Sequence, residues 1–242
     1  MIAAALGKAI EQLMTDKAMR RVFWKALLLS IIAYIASGII AYFLAQYFLQ
    51  GDIPFVPGFA EDWIRPFAEG AAVAVVIVLM GLVFPAIVTG ISGVFLDEVA
   101  GLVERKYYPE DPPGRELPFQ KALMYSLKFM ALVIAINILL LPVYVVSLFI
   151  VGLGIALYYL VNGYFLGREY FETVALRHIP LDQAVASRRA NGMRLFLTGI
   201  VIAFALTIPI VNLISPILGI ATLVHIYKGL GRQGRLVTDT SM

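Results

Sequence analysis

Near the start of the chain Ile2, Leu6, Ile10, Leu13 and Met14 recur at helical spacing, opposite Lys8, Glu11, Gln12 and Thr15. That periodicity predicts an amphipathic helix within residues 1–25, lying in a membrane interface rather than crossing it. An uncharged run follows from Ala26 to Phe48, and a second goes from Gly70 to Leu96, with Gly81, Pro85 and Gly90 as bend points. A membrane helix needs about 20 apolar residues, so both runs are long enough to span. The later apolar stretches differ. The run from Phe129 is interrupted at Pro142 and resumes toward Leu166, and the run from Leu195 stops at Ile208, before Pro209. Asn212 and Pro216 come next, then a short apolar piece to Tyr227. Segments of roughly 10–14 apolar residues favour re-entrant elements over full spans. Residues 129–166 and 195–227 therefore read as two re-entrant hairpins, with Pro209, Asn212 and Pro216 at the apex of the second. A turn at membrane depth survives only where protein or water covers it, which favours a homo-oligomer. The first hairpin is the more ambiguous of the two, because its second arm is long enough to span.

Between these regions Phe95, Val99, Leu102 and Val103 form an apolar stripe, with Asp97, Glu98, Glu104 and Arg105 on other faces. This pattern extends the second span as an amphipathic helix, followed by a Pro-rich loop from Pro109 to Gly114. The fold class is an all-α integral membrane protein: two long transmembrane helices (26–48 and 70–96), two re-entrant helical hairpins and amphipathic interfacial helices. All lie in a single membrane domain over residues 1–242.

Composition agrees with that reading. Of 242 residues, 61% are hydrophobic and only 14% charged, and the mean hydropathy is +0.87. A soluble domain has about 25% charged residues, so the surplus apolar surface must face lipid. Glu11 and Asp16 near the start, and the length of the apolar run after them, argue against a cleavable signal peptide. Charge placement then sets orientation. Met1–Lys25, Ser92–Lys128 and Gly167–Arg194 hold five Lys/Arg each, and Lys228, Arg232 and Arg235 follow Tyr227. The loop Gly51–Glu69 has Arg65 alone against Asp52, Glu61, Asp62 and Glu69. The positive-inside rule puts that loop outside and both termini, with 92–128 and 167–194, in the cytoplasm. Six spans fit the charges equally well; segment lengths favour two spans and two hairpins.

Two constellations could carry chemistry. Arg20-Arg21 begins the first span, and paired guanidiniums beside unpaired helical N–H groups suit an oxyanion. The same residues also serve as ordinary topogenic flanking charge. The second is the stretch Gly167–Glu172 with Arg168, joined downstream by Arg177, His178, Arg188, Arg189 and Arg194. It could combine with Glu98 and Glu104 as a charged network at a cytoplasmic pore mouth, or form a solvated face with surface ion pairs. The chain has no cysteine and two distant histidines. That leaves no thiol chemistry, disulfide or zinc motif, no phosphate loop and no nucleophile–base pair. No enzyme activity, cofactor, metal or nucleic-acid partner is expected. Neither long span carries a charged residue at its middle, so no carboxylate proton relay is visible.

Three segments resemble the CysZ family of bacterial sulfate transporters, within the etoposide-induced-protein superfamily. They are Asp16-Lys17-Ala18-Met19-Arg20-Arg21, the stretch from Pro85 through Leu96-Asp97-Glu98-Val99 to Val103-Glu104, and Ile208-Pro209-Ile210-Val211-Asn212-Leu213 with Pro216 and Gly219-Ile220-Ala221-Thr222. The resemblance implies an oligomeric sulfate transporter or channel of the inner membrane that supplies cysteine synthesis. It implies sulfate binding at Arg20 and Arg21, and a pore network that includes Glu104. One place departs from the family pattern: a Tyr-Pro-rich stretch ending Asp-Asn-His is replaced by Arg168-Glu169-Tyr170-Phe171-Glu172. A transporter of another small oxyanion or solute, or a scaffold that moves nothing, remains the alternative.

Overall fold

A computed structural model describes residues 1–49, 95–115 and 152–237, together with scattered positions between 63 and 74 and between 120 and 150. The second long run (70–96), the acidic loop (51–69) and the first arm of the hairpin at 129–166 fall largely outside the described residues. Among those described, the regular elements are all helices, with no strand. By contact it divides into two compact units, Phe23–Phe95 and the remainder, Met1–Val22 with Leu96–Met242.

Helix α1 spans Ile2–Thr15 and α2 spans Lys17–Leu49. The break falls at Asp16, not near Lys25, so the basic cluster belongs to the long helix. Asp16 sits at φ −89°, ψ 117°, an extended conformation that ends α1, and its Oδ1 accepts the Ala18 N–H at 2.8 Å. That is the bond a capping carboxylate makes at a helix start. Among the described residues, one helix is long and apolar enough to cross a membrane, with Lys17–Leu44 as the span. Its Trp24, Leu28, Ile32, Ile35, Ile40 and Phe43 are all exposed. A contiguous apolar surface of that kind is untenable in water and ordinary against lipid.

In the larger unit, α3 spans Leu96–Tyr107, α4 Leu153–Ala175, α5 Leu181–Ala190, α6 Gly192–Leu206, α7 Pro209–Asn212 and α8 Ser215–Arg232. Helix α4 carries on past Leu166 to Ala175 without a break, so the arm and the polar stretch after it are one rod. Helix α8 is the hub: nearly its whole length is buried, and α1, α3 and α4 all pack on it. The most extensive pairing among the described residues is α4 with α6. Glycines bring these two backbones together. A Cβ on Gly199 would collide with the Gly163 carbonyl oxygen, and one on Gly167 with the Leu195 carbonyl oxygen. Gly163 and Gly167 are four apart, the small-xxx-small spacing that lets membrane helices touch closely.

Helices α5 and α6 meet at 86°, and Asn191 makes the corner. Its Nδ2 donates to the Ser187 carbonyl at 2.9 Å and to the Arg235 carbonyl at 3.0 Å. At about 1.5 Å per residue, the 15 residues of α6 reach about 22 Å, short of a bilayer core of about 30 Å. Pro209 begins α7, Asn212 ends it, and Pro216 occupies the first turn of α8. Proline suits those positions, where the missing N–H is not needed. Helices α6 and α8 contact each other beyond this break.

Candidate functional site

The densest polar cluster is built on Glu104, an otherwise unpromising place for a charge because it is 4% exposed. Helix α3 presents Asp97 and Glu104 seven residues apart, two turns along one face. The turn after α4 supplies Arg177 and His178. Arg177 Nη1 donates to Asp97 Oδ1 at 2.6 Å, and Nη2 donates to Glu104 Oε2 at 3.2 Å. His178 Nε2–H donates to Glu104 Oε1 at 2.9 Å, and the Gly114 N–H donates to Oε2 at 3.1 Å. Burial alone would raise the Glu104 pKa. The His178 hydrogen bond and the Arg177 hydrogen bond and charge outweigh it and hold the carboxyl at about 2. Burial likewise opposes the charge on Arg177, whereas Glu104 and then Asp97 raise its pKa on balance.

The surrounding groups complete the cluster. His178 stacks on Tyr227 of α8, with ring centroids 5.1 Å apart and planes 16° from parallel. Tyr108 is hydrogen-bonded to His225 Nδ1 at 2.8 Å, and Lys228 pairs with Asp111 at 3.3 Å. The loop 108–115 is thus tied to α3, α4 and α8 at once. An open cleft of about 630 Å³ borders the cluster, lined by Asp97, Glu98, Glu104 and Asp111 against Arg105 and Arg177. Four carboxylates to two guanidiniums make it a poor resting place for an anion. The arrangement suits a structural tie better than an anion contact.

The other sequence-derived residues fall in separate places. Arg168 and Arg188 converge on Glu172 Oε1, at 3.3 and 2.7 Å from their Nε atoms. These contacts are ion pairs without hydrogen-bond alignment. None of the ion pairs among the described residues joins this group to Glu104. Glu169 lies close enough to feel the Glu172 charge, so two arginines stand against two carboxyl groups there. Arg189 is exposed nearby, and Glu98 is exposed on α3. Arg20 and Arg21 are exposed in the first turns of α2, opposite the buried Met19 and Val22. The Asp16 carboxylate already occupies the N–H of Ala18 at that helix start, so an anion there would rely on the guanidiniums. No group of three or more His, Asp or Glu with metal-binding geometry occurs among the described residues.

Sequence reasoning placed Arg177 and His178 near a possible network but did not single them out, and it missed Asp97, Gly114 and Tyr108. The available signal was the pair Asp97 and Glu104 on one face of a helix whose other face is apolar.

A comparison with curated proteins finds no match. The family model described as sulfate transporter CysZ/etoposide-induced protein 2.4 matches residues 5–216. That range takes in most of α1, all of α2 to α7, Glu104 with Asp97, Arg177 and His178, the Glu172 cluster and the Arg20-Arg21 pair. By that match over most of its length, and with an apolar helix able to cross a membrane, the chain belongs to the sulfate transporter CysZ/etoposide-induced protein 2.4 family.

Proposed function

We propose that this protein is a sulfate transporter or channel of the bacterial inner membrane, supplying sulfate for cysteine biosynthesis. The observation that carries the reading is the family match together with two exposed guanidiniums at the foot of the apolar helix α2. Arg20 and Arg21 bind the arriving sulfate, because planar guanidinium donors match the oxygen edges of a tetrahedral oxyanion. Asp16 beside them limits affinity, which a transporter needs if the ion is to leave. The Glu104 tie and the Glu172 cluster, with Arg168, Arg188 and Arg189, form the polar network on the cytoplasmic side, with Glu98 at its edge. The pieces 129–166 and 195–227 enter the membrane without crossing it, and further copies of the chain cover the turn at Pro209, Asn212 and Pro216.

The test is uptake of labelled sulfate into proteoliposomes. Replacing Arg20 and Arg21 together by Ala lowers uptake about tenfold or more, since each lost charged contact contributes about 1.5–3 kcal/mol. Uptake equal to the parent chain would remove both residues from the mechanism. Competition by phosphate or chloride as strong as that by sulfate would move the substrate to another anion. No flux at all would favour a scaffold.

A further inference from the structure

Helices α1 and α6 both line two clefts that the sulfate reading does not use. The first, of about 640 Å³, is lined by Ile2, Ala3, Asn191, Arg194, Leu197 and Arg235 among others. Arg194 Nη1 is buried there without a hydrogen-bond partner among the described residues. An unsatisfied buried guanidinium nitrogen is costly, and a bound acceptor removes the cost. The second cleft, of about 190 Å³, is lined by Leu6, Ile10, Val201, Ala205, Ile208 and other almost wholly apolar residues.

The two clefts belong to one seam. Ile2, Leu6 and Ile10 follow one another at four-residue steps on α1, and Arg194, Leu197, Val201 and Ala205 follow at steps of three and four on α6, so each set shares a face. The seam is basic at one end and apolar over the next 12 Å or so, taking about 1.5 Å per residue from Ile2 to Ile10. Among the described residues, neither cleft is lined by an Asp or Glu. Its rim is apolar and exposed: Met193 and Leu197 at the basic end, Phe204 and Ile208 at the other.

We propose that this seam binds an anionic phospholipid, with the phosphate on Arg194 and Arg235 and one acyl chain lying between α1 and α6. A free phosphate or sulfate would use only the basic end and leave the apolar continuation unfilled. The site stands independently of sulfate transport, so either reading can fail alone.

The experiment is native mass spectrometry of the full chain in detergent, titrated with phosphatidylglycerol, phosphatidylcholine, glycerol phosphate or inorganic phosphate. Phosphatidylglycerol forms a one-lipid adduct with the parent chain. Arg194→Gln with Arg235→Gln weakens that adduct about tenfold or more, the effect of losing two charged contacts. Ile10→Asn, a change at an exposed position, also weakens it by setting a polar amide against the acyl chain. Neither guanidinium makes an ion pair among the described residues and Ile10 is exposed, so both variants should keep the parent melting temperature without lipid. Several outcomes overturn the proposal: adducts unchanged in the double variant, glycerol phosphate or inorganic phosphate binding as well as the lipid, or phosphatidylcholine binding equally in both chains. A dimer peak lost with the same substitutions would assign the seam to a second copy of the chain instead.

Discussion

Arg177 is the residue on which the polar cluster turns. Its guanidinium is 4% exposed and bridges Asp97 and Glu104. Removing it leaves Glu104 buried with His178 and one backbone N–H. Arg177→Met should therefore destabilise the chain by about 3–5 kcal/mol, the cost of stranding one half of a buried pair, read as a fall in melting temperature in detergent. Glu104 also makes a signed prediction about pH. Its folded pKa, about 2, lies below the ordinary value of 4.5, so its contribution is complete above about pH 5. That contribution drains away as pH falls from 4.5 toward 2, about 3 kcal/mol in all for a shift of this size. Comparing acid melting curves of the parent chain and Glu104→Gln checks this; parallel curves would contradict it. Glu104 could be picked out from sequence because it closes an amphipathic helix. Its partners could not, because Arg177 lies 73 positions away and many arginines would have served.

Between elements, the decisive contacts have no side chains. Gly199 of α6 rests on the carbonyl of Gly163 in α4, so Gly199→Leu must push the helices apart. Overpacking of that kind costs about 1–3 kcal/mol, more than the helix propensity that Leu gains over Gly, up to about 1 kcal/mol. Melting and limited proteolysis of the variant would report it. The apolar run of α2 and the break at Pro209 were visible in the sequence because hydropathy and proline act locally. The α1–α2 boundary was not: hydropathy changes near Lys25, whereas the backbone breaks at Asp16, where a short side chain caps the next helix. Nor was the reach of α4 to Ala175 visible, since Arg168, Glu169 and Glu172 read as the start of a polar loop. Glu172 instead forms ion pairs with Arg168 in its own helix and with Arg188 of α5.

For the whole chain, the orientation argument can be checked directly because no cysteine is present. Single cysteines placed at Asp52 and at Arg235 in intact cells should differ: a membrane-impermeant maleimide labels the first and spares the second. Equal labelling would refute cytoplasmic placement of the tail. The membrane character itself was legible from composition, since 61% hydrophobic residues exceed what one water-soluble core can bury. How the larger unit closes around α8 was not legible, because a short apolar piece ending at Tyr227 reads as a hairpin arm and gives no sign that Ser215, Thr222, His225 and Lys228 are buried with it.

The glycine contact between α4 and α6 also bears on how the protein can move. Where backbone meets backbone there are no rotamers to rearrange, and packed interfaces shift between discrete states rather than deform smoothly. The two helices must then travel as one piece, like two fingers bound together. Among the described residues, motion of this pair against its neighbours falls to the joints at either end of α6, the 86° corner at Asn191 and the break before Pro209. A covalent bridge between α4 and α6 should leave transport untouched, whereas one across either joint should stop it.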